Sequence, residues 1–250
     1  MSTQANCIFS ACPHDVILDP EKWQAVVNYL HAKKVFDGHF ERHTSFSEFA
    51  ENFSRFDLAY AHPLDAVDMV RRHGFTPIAK YENVYDEAVV ITQKLNNSPS
   101  FEAATRGLTT FVNGSPSHAA FLIEAHDRNI PIGYQPVPKD NYQEVLMDVA
   151  LNVAEYGVIL RSVYDDMLVM RDNVVVSHTT STKKLVHVFA VSPRLKDKSV
   201  GIQNALLHMH EDPAGQAILA RLKCGRIVPF GAMDIDKLES DLSVCVFEEI

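Results

Sequence analysis

The stretch Phe56–Val67, FDLAYAHPLDAV, joins a strand-like half to a helix-like half across His62-Pro63. Tyr60 and His62 alternate along the extended half, so both can project to the same side of a strand end. His62 precedes a proline and is held extended, which suits a fixed donor; a plain loop histidine is the competing reading. The helical half runs on through LDAVDMVRRHG and closes at Gly74. A strand passing directly into a helix, with polar rings at the junction, is the mark of an α/β fold with a ligand-facing edge.

The same alternation extends in both directions. CIFSAC reads as a short strand, and DPEKWQAVVNYLHAKK as an amphipathic helix with Asp19 and Pro20 at its start and Trp23, Val26, Val27 and Leu30 on one face. Phe46, Phe49, Phe53 and Phe56 recur at helical spacing, a stripe that reads as core. TPIAKYEN and YDEAVVITQ imply a strand pair. Beyond a polar, turn-rich run follow strand LTTFVN, helix SHAAFLIEAHDRN, a proline-rich loop, helix YQEVLMDVALNVAE and strand YGVILRS. Strand VHVFAVS, helix VGIQNALLHMHE and helix PAGQAILARLK complete the pattern. It predicts a mainly parallel sheet with ligands at strand carboxyl ends, and two lobes: 1–92 with 186–250, and 93–185.

Composition narrows the function. With 250 residues, 46% of them hydrophobic and 22% charged, the chain describes an ordinary globular protein able to bury a sizeable core. Its 23 basic and 32 acidic residues give a formal charge of −9, and no Lys/Arg run offsets it, which argues against nucleic acid and anionic membrane as partners. An anionic small ligand stays open, because backbone amides and helix ends make a local positive field. Cys7, Cys12, Cys224 and Cys245 are scattered and contain no CxxC, so neither a disulfide framework nor a metal cluster is expected. Nothing at the amino end reads as a leader and no window reads as a membrane span, so the chain as numbered is expected in the cytoplasm, or in the periplasm if a leader was removed.

NGSPSHAAFL places Gly114, Ser115, Pro116, Ser117 and His118 at the start of a predicted helix. Its free amides, hydroxyls and dipole form an anion site; equally, Ser115 or Ser117 simply caps the helix. Among twelve histidines, His208 and His210 are the most tempting metal pair, yet i and i+2 on a helix point about 200° apart. Tyr60, Tyr85, His118 and His187 could together hold a ferric ion, although no local spacing demands it. No GxSxG, HExxH, P-loop or dinucleotide fingerprint is present. No catalytic residue, cofactor or metal ligand is therefore assigned.

In sequence order, FDLAYAHPLDAV, GFTPIAKYENVYDEAVVI, GSPSHAAFL, YQEVLMDVALNVAEYGVI, LVHVFAVSPRL and ALLHMHEDPAGQAILARL resemble the phosphate/phosphonate-binding proteins of ABC importers. The resemblance covers nearly the whole chain. It implies a two-lobed type II periplasmic-binding-protein fold, with a small oxyanion gripped in a cleft between lobes and an ABC permease as partner if the protein is exported. It also implies that the anion-binding segment falls on Ser117 and His118, that Tyr85 faces the ligand and that Tyr60 lies beside the cleft. Tyr142 stands where relatives have a phosphoryl-contacting histidine, Phe46 where they often have a tyrosine, and His187 near an acid used for amine-bearing ligands. Those departures disfavour an aminoalkyl phosphonate. The alternative is a cytosolic enzyme using the same fold and cleft on a small acidic metabolite.

Overall fold

The computed structural model describes residues 7–16, 19–96, 99–167 and 171–245. Within the decisive stretch, Leu58–Ala61 is a fully buried strand and Pro63–His73 the helix that follows it. His62 is extended (φ −68°, ψ 165°), and Pro63 takes the first helical turn, where a missing N–H costs nothing. Gly74 ends the helix at φ 71°, in the left-handed region, with its N–H returned to the Met69 carbonyl.

In chain order the strands are β1 (Cys7–Ala11), β2 (Gly38–Phe40), β3 (Leu58–Ala61), β4 (Thr76–Tyr81), β5 (Ala88–Gln93), β6 (Leu108–Val112), β7 (Gln135–Lys139), β8 (Tyr156–Leu160), β9 (Val174–Thr179), β10 (Val188–Val191) and β11 (Ile227–Pro229). They form two sheets, ordered β11-β4-β10-β3-β1-β2 and β7-β6-β8-β5-β9. The chain divides into two units to match, Met1–Val84 with Val186–Leu238, and Tyr85–Leu185 with Glu239–Ile250.

Three expectations change here. The first boundary falls at 84/85 rather than 92/93, because β5 pairs with β8 and β9 and not with β4. The chain from Glu239 onward clusters with the second unit rather than the first. Both sheets are mixed rather than mainly parallel. Strands linked by helical crossovers, β1 with β2 and β3, and β6 with β7 and β8, do run parallel. By contrast β10 enters its sheet from the other unit and runs antiparallel to β3 and β4, as β5 does to β8 and β9.

The first unit is built around Trp23, fully buried on the Glu21–Ala32 helix. Its ring meets Phe9 edge-on at 5.7 Å and Tyr60 at 4.9 Å. The phenylalanine stripe is core, but not one helix. The α-helix stops at Glu51, Phe53–Arg55 is a 3-10 turn, and Phe56 is extended, with Phe49 5.5 Å from Phe53 and 5.1 Å from Phe56. The proline-rich loop contains β7, QPVPK, on a sheet edge where prolines are tolerated.

Asp57 fastens β1 and β10 to this core. Its Oδ2 accepts from the Ile8 amide at 2.9 Å and its Oδ1 from Arg194 Nε at 2.8 Å. Arg194 also donates to the carbonyls of Ser54, Arg55 and Phe56. Asp57→Ala is expected to cost about 1–3 kcal/mol by leaving a largely buried amide without its acceptor and Arg194 without its counter-charge. Urea unfolding measures it; a midpoint unchanged from wild type would show that the carboxylate is dispensable.

Candidate functional site

In the second unit, β6 is followed by the turn Asn113-Gly114, and Gly114 adopts φ 65°, strained for any residue with a side chain. The turn delivers Ser115 to the cap of the Pro116–Asp127 helix, where its Oγ accepts from the His118 amide at 3.3 Å. Ser115 Oγ and Ser117 Oγ share a hydrogen bond at 3.0 Å, and Ser117 Oγ donates to the Tyr142 hydroxyl at 3.3 Å. Tyr142 opens the Tyr142–Ala150 helix, which Asn141 caps. Ser115, Ser117, His118 and Tyr142 are all buried.

His118 stacks on Phe111, ring centroids 3.9 Å apart, and its Nε2 hydrogen-bonds the Tyr134 hydroxyl at 2.8 Å. Burial pushes its pKa down to about 3, which leaves the ring neutral at pH 7. The cluster therefore combines hydroxyls, first-turn amides and a neutral imidazole with a helix dipole. Such an arrangement can replace the hydration shell of an anion without adding a full positive charge. Ser115 is a helix cap, and its hydroxyl belongs to the same hydrogen-bonded network as Ser117 and Tyr142.

In the first unit, Tyr60, His62 and His187 gather at the carboxyl ends of β1 and β3. Tyr60 is stacked between Tyr81, at 4.9 Å, and His187, at 5.1 Å, and is only 3% exposed. It is part of the aromatic core. His62 caps its helix through Nδ1, which accepts from the Asp65 amide at 3.5 Å, while Nε2 lies 2.9 Å from Asp65 Oδ2. An accepting Nδ1 places the proton on Nε2. Phe46 is half-buried, with ring centroids 5.4 Å from His62 and 6.0 Å from His14. Tyr85 is half-buried at the start of the second unit. The named residues thus fall into a second-unit group, a first-unit group and Tyr85.

His187 precedes β10, whose Val188 pairs with Ala61, and this brings it beside residues that sequence reasoning passed over. Asp15 Oδ2 lies 3.4 Å from both His14 Nε2 and His187 Nε2, and His14 Nδ1 lies 3.1 Å from Cys12 Sγ. Burial works against ionising Asp15, but the field of His14, His187, Lys22 and His62 outweighs it and holds the carboxyl below its ordinary value. The signal was CPHD, a cysteine, histidine and aspartate within four residues; counting cysteines alone hides it. His208 and His210 turn their Nδ1 atoms to the carbonyls of Asn204 and Leu207.

Residues 20–235 match a protein family described as "ABC transporter, phosphonate, periplasmic substrate-binding protein". Among solved structures the chain is similar to PhnD1 from Prochlorococcus marinus in complex with methylphosphonate, at a TM-score of 0.76 and 12% identity, covering 94% of this chain and 96% of that one. It is also similar to the binding-protein component of a Pseudomonas aeruginosa ABC phosphonate transporter, at 0.74 and 11% identity over 96% and 87% of the two chains. The periplasmic aliphatic sulphonate binding protein SsuA from Escherichia coli aligns at 0.73 and 10% identity over 97% and 92%. No curated protein matches in sequence.

Proposed function

Because the chain belongs to the phosphonate-binding, periplasmic substrate-binding family of ABC transporters, with the two-lobed fold of that class, we propose that it binds a small phosphonate-like oxyanion. The anchor is the start of the Pro116–Asp127 helix. The supporting observation is the buried chain of hydrogen bonds from Ser115 through Ser117 to Tyr142, at the amino end of a twelve-residue helix. Hydroxyls that bond one another can turn to donate to an incoming anion, so no cationic side chain need be brought in. His118, neutral at pH 7, adds a dipole and no charge.

Tyr85, Tyr60, His62 and His187 complete the proposed set of ligand-associated residues. Tyr60 acts there by holding His187 in place through the stack. The partner on this reading is an ABC permease and the working compartment the periplasm. Among the described residues no helix is long and apolar enough to cross a membrane.

Ser117→Ala is expected to weaken binding of the preferred anion by about 1–3 kcal/mol, the loss of one hydrogen bond to a charged group. Calorimetry with phosphate, phosphite, methylphosphonate, aminoethylphosphonate and sulfate is the test, with methylphosphonate expected above aminoethylphosphonate. An affinity that Ser117→Ala leaves intact, with only the melting temperature lowered, would reduce the serine to a structural role. Ala119 is a poor probe of this site, since it is fully buried and a charged replacement there tests folding.

A further inference from the structure

We propose that Cys12, His14, Asp15 and His187 form a binding site for a divalent transition metal, with the donor set of a four-coordinate zinc centre. One donor atom from each residue lies within 4.8 Å of all the others. Around a tetrahedral zinc with bonds of about 2.0–2.3 Å, ligand atoms sit roughly 3.3–3.6 Å from one another. The two Asp15–histidine separations, 3.4 Å each, are already at that spacing. Cys12 Sγ lies 3.1 Å from the other ring nitrogen of His14, Nδ1. On binding an ion, either Cys12 moves toward Nε2 or the His14 ring turns, and the four donors draw together from their present spread of up to 4.8 Å.

The donors also suit the ion. Thiolate and imidazole favour zinc and its neighbours over magnesium or calcium, which take oxygen ligands. A thiolate and a carboxylate balance a dication, so the buried group carries no net charge once Cys12 has released its thiol proton to solvent. A simple ion-pair network around Asp15 would account for the two histidines. It would not account for Cys12, a fully buried thiol pointed at the same cluster.

The frame is rigid where a metal site needs it to be. The Cys12 amide donates to the Tyr60 carbonyl at 2.8 Å, the Asp15 amide to the Cys12 carbonyl at 3.0 Å, and Trp23 Nε1 to the Asp15 carbonyl at 3.2 Å. His187 is held by its stack on Tyr60. Cys12, His14 and His187 are closed off from solvent, whereas the Asp15 side chain is 25% exposed, which gives an ion a way in.

This site goes beyond the oxyanion reading, although both name His187, and the tests separate them. Protein dialysed against chelator is titrated with cobalt(II). One equivalent is expected to produce a thiolate-to-cobalt charge-transfer band in the near ultraviolet together with visible bands of four-coordinate intensity, all displaced by zinc. Cys12→Ser should remove the charge-transfer band, and Asp15→Asn should weaken zinc binding roughly a hundredfold in competition with a chromophoric chelator. His210→Ala should change nothing. Ser117→Ala should impair methylphosphonate binding while leaving the cobalt spectrum intact. Absence of the band in wild type at one equivalent, or its survival in Cys12→Ser, would overturn the proposal. If Cys12→Ser does not fold, an unaltered cobalt affinity in Asp15→Asn overturns it equally.

Discussion

Trp23→Ala is expected to destabilise the first unit by about 3–5 kcal/mol, the usual cost of deleting a fully buried large aromatic ring. Trp23 is 0% exposed and touches three other rings, Phe9, Tyr60 and Phe189, each belonging to a different strand. No single neighbour can move into the vacated space, because each is held in its strand by pairing to the next. The cavity therefore stays largely open, and its cost adds to the lost burial. Trp23 is the one tryptophan in the sequence, so its removal abolishes the natural fluorescence probe. Urea unfolding followed by far-ultraviolet circular dichroism measures the loss instead. A change below about 1 kcal/mol would mean that the ring is not the centre of that core.

The second large effect is a loss of stability in mild acid caused by His118. Its folded pKa is down at about 3, against about 6.5 for an unfolded chain. As pH falls below about 6.5 the unfolded state takes up a proton that the folded state refuses, so stability is lost with each unit of acidification until about pH 3. At about 1.36 kcal/mol per unit the cost from this residue is roughly 2 kcal/mol by pH 5 and about 5 kcal/mol at its limit. His118→Gln removes the titration. Its unfolding free energy, measured by urea at pH 7, 6 and 5, should fall less steeply than that of wild type, even though the loss of the stack on Phe111 lowers its value at pH 7. Parallel slopes for the two proteins would show that His118 is protonated without penalty in the fold.

Legibility in the sequence followed the range of the interaction. Pro63, Gly74, Ser115 and Pro116 act on their own turn, and each does in the structure what its chemistry requires nearby. β7 was passed over because QPVPK lacks the apolar alternation of a strand, and its place is set by β6, which lies more than twenty residues earlier. The strand pair expected of β4 and β5 failed for a similar reason. Adjacent strand-like segments usually pair, but these two find partners far along the chain in different sheets. At the candidate site, Ser115, Ser117 and His118 were readable as a run, and the bond from Ser117 to Tyr142, 25 residues away, was not. The cluster at Asp15 was hidden more deeply, since His187 reaches it only through the pairing of β10 with β3.

The two prolines of β7 have a bearing on how the molecule behaves in a crowd. Gln135 turns its N–H toward the Gly107 carbonyl, so residues of alternate parity, Pro136 and Pro138, direct their backbone nitrogens away from β6. Those nitrogens carry no hydrogen. The outward side of this terminal strand therefore presents carbonyls but lacks two of the donors that an incoming extended segment would have to match. Open sheet margins are where folded proteins recruit one another into ordered aggregates, and a margin without donors is a poor template for that growth. Replacing the prolines with residues such as valine or threonine would restore the missing half of the pattern, and with it a means of self-association that the natural sequence denies.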